Sequence, residues 1–169
     1  MNIGRLTEQK DQITLLKSLN LLKKNNINFR CCVIGQGKER KFLQNYINSR
    51  RLNRYIKLIG FKKDAQNFLF NANLFVLSSK YEGLPNVLIE AQQRNIPIIS
   101  SDCPTGPREI LLNGKLGYLF KVGNFNQLYS LILEFKNNNS KFIFKSNKAR
   151  KYLNRFDYIS NCMKYKKII

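Results

Sequence analysis

Residues 74–100 read LFVLSSKYEGLPNVLIEAQQRNIPIIS. LFVLS at 74–78 is a continuous apolar run of strand length, and IPIIS at 96–100 is a second one. Between them the period changes. Pro85 suits the first helical position, where a missing N–H costs nothing, and the helical pattern then runs to about Arg94. On that helix Val87, Leu88 and Ala91 share one face, while Asn86, Glu90 and Gln93 share the other. A strand, a helix and a second strand in so short a stretch point to a parallel pair with the helix packed across it.

The same alternation extends in both directions. Helical spacing marks residues 10–24 through Ile13, Leu15, Leu16, Leu19 and Leu22, and residues 38–49 through Phe42, Leu43, Tyr46 and Ile47. FRCCVI at 29–34, closed by Gly35, and YIKLI at 55–59, closed by Gly60, read as buried strands. A very short strand precedes Arg5. Short helices are expected at 63–71 and 107–113, a last strand at 117–120 and a helix at 125–136. The fold class is therefore α/β, a single doubly wound parallel sheet covered on both faces. In such folds ligands sit beyond the carboxyl ends of the strands. Residues 1–136 form that domain. Residues 137–149, rich in Asn, Lys and Ser, are expected to be a loop. Residues 148–169 carry Tyr152, Leu153, Phe156, Ile159, Met163 and Ile168 among lysines, the pattern of an amphipathic helix.

Composition narrows the chemistry. The 169 residues hold 30 Lys plus Arg against 10 Asp plus Glu, a formal charge of +20, and no histidine. Such a balance favours anionic partners or surfaces, although lysine is spread over the whole chain. Without histidine the chain supplies no imidazole base or metal ligand. Cys31, Cys32, Cys103 and Cys162 form no C-x-x-C pair, so neither a zinc site nor a disulfide framework is indicated, and they read as reduced core thiols. No Asp-x-Asp occurs to hold a metal–diphosphate. No run of 18 apolar residues occurs and the start lacks a signal core, so neither a membrane span nor export is expected. The cations form no stripe interleaved with aromatics, so a nucleic-acid partner is not expected.

Chemistry-bearing residues gather where strands end. Glu82 and Glu90 are separated by seven residues around the start of a helix whose first amides are free and whose dipole is positive there. Gly83 is read as allowing close backbone approach or a positive φ. Such an end suits a phosphate, and a carboxylate such as Glu90 can accept two hydrogen bonds from a ribose. A solvated acidic pair is the other reading of the same residues. Arg5 and Lys10 flank the end of the first strand and could together neutralise a diphosphate. Gly35-x-Gly37 ends a strand as a dinucleotide fingerprint does, but Arg40 stands where its third glycine belongs. Thr105 and Gly106 could present donors after the strand at 96–100, and Arg108 could pair with Glu109 or with an anion.

In order, Gly4-Arg5-Leu6 with Lys10, VIGQG, LIGFKKD, SSKYEGLPNVLIEA, SDCPTGPREIL and GYLF resemble the donor-binding, C-terminal domain of family 4 glycosyltransferases of the GT-B fold, especially bacterial enzymes of capsule, O-antigen and glycan assembly. The resemblance covers about residues 1–135, and KARKYLNRFDYI is similar to the family's closing helix. It implies a Rossmann-like sheet and retaining hexosyl transfer from a nucleotide sugar, expected to be a UDP-sugar although GDP-linked donors occur in the family, with no cofactor and no metal. Arg5 and Lys10 then hold the donor diphosphate and stabilise the leaving group, and Glu82 lies near the donor sugar and phosphate. Glu90 binds the ribose hydroxyls, and Gly83, Leu84, Pro85 and Asn86 form the turn facing sugar and diphosphate. Gly35 and Phe61 fall at nucleotide and base contacts. The resemblance also implies an acceptor-binding N-terminal domain that this chain lacks. The chain is accordingly expected to be a truncated or split product, or one subunit beside a separate acceptor-binding chain, with little transfer alone. A non-catalytic nucleotide-binding or regulatory module, or a gene remnant, is the alternative. The expected location is cytoplasmic, with Lys148, Arg150, Lys151, Lys164, Lys166 and Lys167 as a candidate contact with the anionic inner face of the plasma membrane.

Overall fold

The computed structural model describes residues 1–157, 159 and 161–163. Strands β1 (Asn2–Ile3), β2 (Cys31–Ile34) and β3 (Ile56–Gly60) pair in parallel in the order β1-β2-β3, and β4 (Phe75–Leu77), β5 (Ile98–Ser101) and β6 (Tyr118–Phe120) pair in parallel in the order β4-β5-β6. The two ladders meet along β1 and β4. There the Val76 amide donates to Met1 O at 2.9 Å and Asn2 Nδ2 donates to Val76 O at 2.9 Å. The strands thus lie in the order 3-2-1-4-5-6, whose direction reverses between β1 and β4. In sheets of this order the ligand crevice lies at that reversal, beyond the carboxyl ends of the strands.

Helices cover both faces, and the strands' period of two decides which residue meets which face. Val33, Val76, Ile99 and Phe120 belong to one apolar cluster with Leu15, Leu16 and Leu19 of α1 (Gln12–Lys24), Leu43 and Ile47 of α2 (Arg40–Ser49) and Leu128 of α5 (Phe125–Asn137). Phe75, Leu77 and Ile98, one position out of phase, belong to a second cluster with Leu69, with Leu88 and Ala91 of α3 (Asn86–Gln93) and with Ile110 of α4 (Pro107–Ile110). Each fully buried Leu or Ile removes apolar area worth roughly 1.5–3 kcal/mol from water, before chain entropy is counted.

The segment 137–149 departs from expectation. It is not a loop: α6 spans Ser140–Arg150. Phe142, Ser146 and Ala149 are buried at spacings of four and three, the inward stripe of a helix. Ser140 N and Oγ both donate to Asn138 Oδ1, at 3.1 and 2.7 Å, which satisfies the first amide of the helix. Phe142 stacks on Tyr118 with centroids 4.1 Å apart, and Lys145 Nζ donates to Gly114 O and Gly117 O at 2.7 and 3.1 Å. A stripe with only one large apolar residue does not stand out among asparagines and lysines. Beyond α6, residues 153–156 make one 3-10 turn where a continuous helix was expected. The remaining expectation for the tail falls largely outside the described residues. The described tail is docked on its own domain: Arg155 Nη1 and Nη2 donate to Glu109 O and Ile110 O at 3.3 and 3.1 Å, and Phe156 packs on the second cluster. Among the described residues no helix is long and apolar enough to cross a membrane.

Candidate functional site

Short connections leave the carboxyl ends of β1, β2, β4 and β5 and interlock. Gly35 has φ +148, and a Cβ there would lie 1.9 Å from Gly4 O, so the β2 end accepts only glycine against the segment carrying Arg5. The Leu6 amide donates to Gln36 O and the Glu39 amide returns to Leu6 O, at 2.9 and 3.0 Å. Gln12 Nε2 donates to Arg5 O at 2.9 Å, which fixes the Arg5 backbone while its side chain stays exposed. Phe61 follows the β3 end with 65% of its surface exposed.

Across the reversal, residues 8–10 and 78–82 are laced together. Ser78 Oγ donates to Lys10 O at 2.9 Å, the Lys80 amide to Gln9 O at 2.7 Å and Gln9 Nε2 to Tyr81 O at 3.1 Å. Lys80 Nζ pairs with Glu8 at 2.7 Å, and each holds the other's charge: the ammonium pulls the Glu8 carboxyl below its usual range, and the carboxylate raises the lysine. The central contact is Lys10 Nζ on both oxygens of Glu82, at 2.6 and 2.8 Å. Its side chains are only 17% and 6% exposed, so water screens this pair far less than the Glu8–Lys80 pair. Ser79 Oγ donates to Glu82 Oε1 at 2.5 Å.

The β5 loop braces the same turn. The Glu82 amide donates to Pro104 O at 2.8 Å, while Thr105 N and Oγ1 donate to Glu82 O at 3.0 and 2.8 Å. Thr105 thus spends both donors on the Glu82 backbone. Gly106 has φ +69, and a Cβ there would lie 2.0 Å from Gly83 O. Of the two alternatives expected at Gly83, the positive φ is found at Gly106 instead. Gly83 lies outside the left-handed region, and a Cβ there would meet nothing within 4 Å, so open space lies beside it. Pro85 is the N-cap of α3, and Leu88 N is the first amide that reaches back, donating to Pro85 O at 2.9 Å. Leu84 and Asn86 are exposed just before and at this helix start. Glu90, one turn further, lines a surface pocket of about 550 Å³ with Leu84, Asn86 and Phe156.

Arg5, Lys10, Glu82, Gly83, Thr105, Gly106 and Gly35 therefore form one connected edge. Glu90 lies along α3 and Phe61 at the far end of the edge, neither in contact with the ion pair. Arg108 pairs with Asp102, its Nε donating to Oδ1 at 2.8 Å and its Nη2 to Oδ2, rather than with Glu109. That guanidinium holds the Asp102 carboxyl below the usual carboxylate range. Burial, then the nearby Glu82 charge, push the Cys103 thiol up, which leaves it a poor nucleophile. Asp11, cap of α1, has its pKa raised by burial against the opposing hydrogen bond from Thr14. An apolar cavity of about 450 Å³ lies at the opposite, amino-terminal edge, between Leu15, Leu19, Phe29 and Phe135, far from these cations.

Sequence reading missed Gln9, Gln12, Ser78, Ser79 and Ser101. The available signal was a pair of serines closing each of two strands, at 78–79 and 100–101, where a buried strand otherwise calls for apolar side chains. All four are fully buried.

The family model described as glycosyl transferases group 1 matches residues 1–159. An uncharacterized glycosyltransferase of Methanocaldococcus jannaschii is 38% identical over 155 residues, which are 88% of this chain and 38% of that relative. The amylovoran biosynthesis glycosyltransferase AmsD of Erwinia amylovora is 33% identical over 109 residues, 64% of this chain and 30% of that relative. Among solved structures, TarM of S. aureus in a complex that includes UDP superposes with a TM-score of 0.89 at 27% identity, covering 98% of this chain and 34% of that one. The chain thus spans between about a third and a half of the length of the proteins it matches.

Proposed function

The chain belongs to the group 1 glycosyl transferases, and from that premise we propose that it is the donor-binding half of a retaining, metal-independent enzyme. On this reading the substrate is a nucleotide sugar, with UDP as nucleotide, and the product belongs to cell-surface polysaccharide. The observation that carries it is the partly buried Lys10–Glu82 pair bridging the ends of β1 and β4 at the reversal of strand order, beside the free start of α3. UDP in the TarM complex and the capsular polysaccharide biosynthesis named for the similar CapH of Staphylococcus aureus support the choice of substrate and product.

The physical account runs through charge. As the sugar departs, negative charge grows on the nucleoside diphosphate. Fixed positive groups stabilise that state most when they are already in place and shielded from water. Lys10 supplies a held ammonium and Arg5 an exposed, planar fork able to close on phosphate oxygens. The first amides of α3, with those of Gly83, Leu84 and Asn86 held around Pro85, offer the phosphates N–H donors and a positive dipole end. Open space at Gly83 lets a ligand approach the backbone. Glu90 takes the ribose diol, Gly35 and Phe61 take the base side, and Glu82 faces the donor sugar. Thr105 and Gly106 support the turn from beneath. An acceptor-binding half, from another chain or segment, completes the cleft, and turnover belongs to that assembly. Cations of the tail, including Lys148, Arg150 and Lys151, contact an anionic membrane face in this account; binding to anionic vesicles that salt does not weaken would contradict it.

Calorimetry with UDP and UDP-sugars, with and without EDTA, tests the reading. Saturable binding indifferent to EDTA is expected. Absence of heat at millimolar nucleotide contradicts donor binding, and loss of binding on chelation contradicts metal independence.

A further inference from the structure

We infer that Ser79 is a positioning residue: its hydroxyl orients Glu82, and through Glu82 it sets the direction in which Lys10 presents its remaining N–H to the donor. The inference rests on the donor-binding reading above. Ser79 is 0% exposed at the end of β4, and its main chain is itself held, because Ser101 Oγ donates to Ser79 O at 2.7 Å from the end of β5. Its hydroxyl hydrogen goes to Glu82 Oε1 at 2.5 Å. Glu82 Oε1 also accepts from Lys10 at 2.6 Å and Oε2 from the same ammonium at 2.8 Å.

Counting donors and lone pairs shows what this leaves. An ammonium has three N–H donors. Two are committed to Glu82, so one remains for a phosphate oxygen. Oε1 is filled by Ser79 and Lys10, while Oε2 keeps capacity for a ligand hydroxyl. The hydroxyl of Ser79 therefore decides which carboxylate oxygen is spent and which is spare. Without it the carboxylate can rotate about its terminal torsion, whose preferences are broad, and the ammonium follows. Charge-assisted hydrogen bonds of this kind are short and directional, as these are. The serine touches no position open to a ligand, so its effect is exerted only through its neighbours.

A double-mutant cycle on UDP affinity separates this role from support of the fold. Ser79→Ala is expected to weaken UDP about three- to tenfold in the native background and less than about twofold in a Glu82→Gln background. Ser79→Cys, close in size but a weak donor, is expected to behave as the alanine variant does and serves if that variant does not fold. An equal loss in both backgrounds, or no loss in either, overturns the inference. Because the native chain is titrated in the same series, failure of the donor-binding reading shows separately, as absence of UDP binding before any substitution.

Discussion

A Cβ at Gly83 would meet nothing within 4 Å, whereas one at Gly106 would stand 2.0 Å from a backbone oxygen. The two glycines are predicted to fail differently. Gly83→Ala keeps the thermal midpoint of the native chain and weakens UDP severalfold, because its methyl enters the space a ligand needs. Gly106→Ala lowers stability by about 2 kcal/mol or more, through strain at positive φ and a clash that the Glu82 turn cannot absorb. Thermal melts alongside UDP titrations check both; a destabilised Gly83 variant with normal affinity would contradict the assignment. The pair also shows how far residues speak for themselves. Arg5, Lys10, Glu82 and Gly35 could be located from motif and spacing. Which of two glycines carries the left-handed conformation could not, because it depends on a loop more than twenty positions away in sequence. Two of the buried serines were hidden for the same reason: the partner of Ser78, Lys10 O, becomes a neighbour only across β1 and β4, and that of Ser101, Ser79 O, only across β5 and β4.

At the scale of elements, short apolar runs ended by glycine or serine reveal the strands, since a parallel strand buried on both faces has few alternatives to Val, Ile, Leu and Phe. Helix α3 was legible from Pro85 and one apolar stripe. Helix α6 was not, because its packing relies on Phe142 with small Ser146 and Ala149, and on a lysine, Lys145, whose ammonium reaches carbonyl oxygens of the turn before β6. The link from β5 to α4 carries a pH dependence. Arg108 depresses the Asp102 pKa in the folded chain, so the pair adds stability above the usual aspartate value of about 3.9 and loses it as pH falls through the lower, folded value. Arg108 is largely exposed, so the contribution is small. Asp102→Asn is expected to shallow the acid limb of a stability-against-pH curve below about pH 4 and to leave the neutral region nearly unchanged. An unaltered acid limb would show that other carboxylates govern it.

Seen whole, the molecule is two three-stranded ladders joined at β1 and β4, and the joint is where the chemistry collects. The residues across it are far apart in sequence: 8–10 on one side, 78–82 on the other. Folding the sheet therefore builds the site, and the site's hydrogen bonds in turn close the sheet's carboxyl edge. The parallel, doubly wound sheet could be anticipated from alternation, but its strand order could not, because alternation is compatible with more than one such order. Nor could the partial burial of the central ion pair, since Ser78, Ser79 and Ser101 and two loops arrive there together. The charge of +20 is spread widely, and only the few cations held at this edge bear on a diphosphate. The most direct measurement is a calorimetric titration of the native chain and of Lys10→Ala with UDP. The account predicts one-to-one binding to the native chain and a loss of about tenfold or more in a variant that remains folded. Equal affinity of the two, or no binding by either at millimolar UDP, would contradict it.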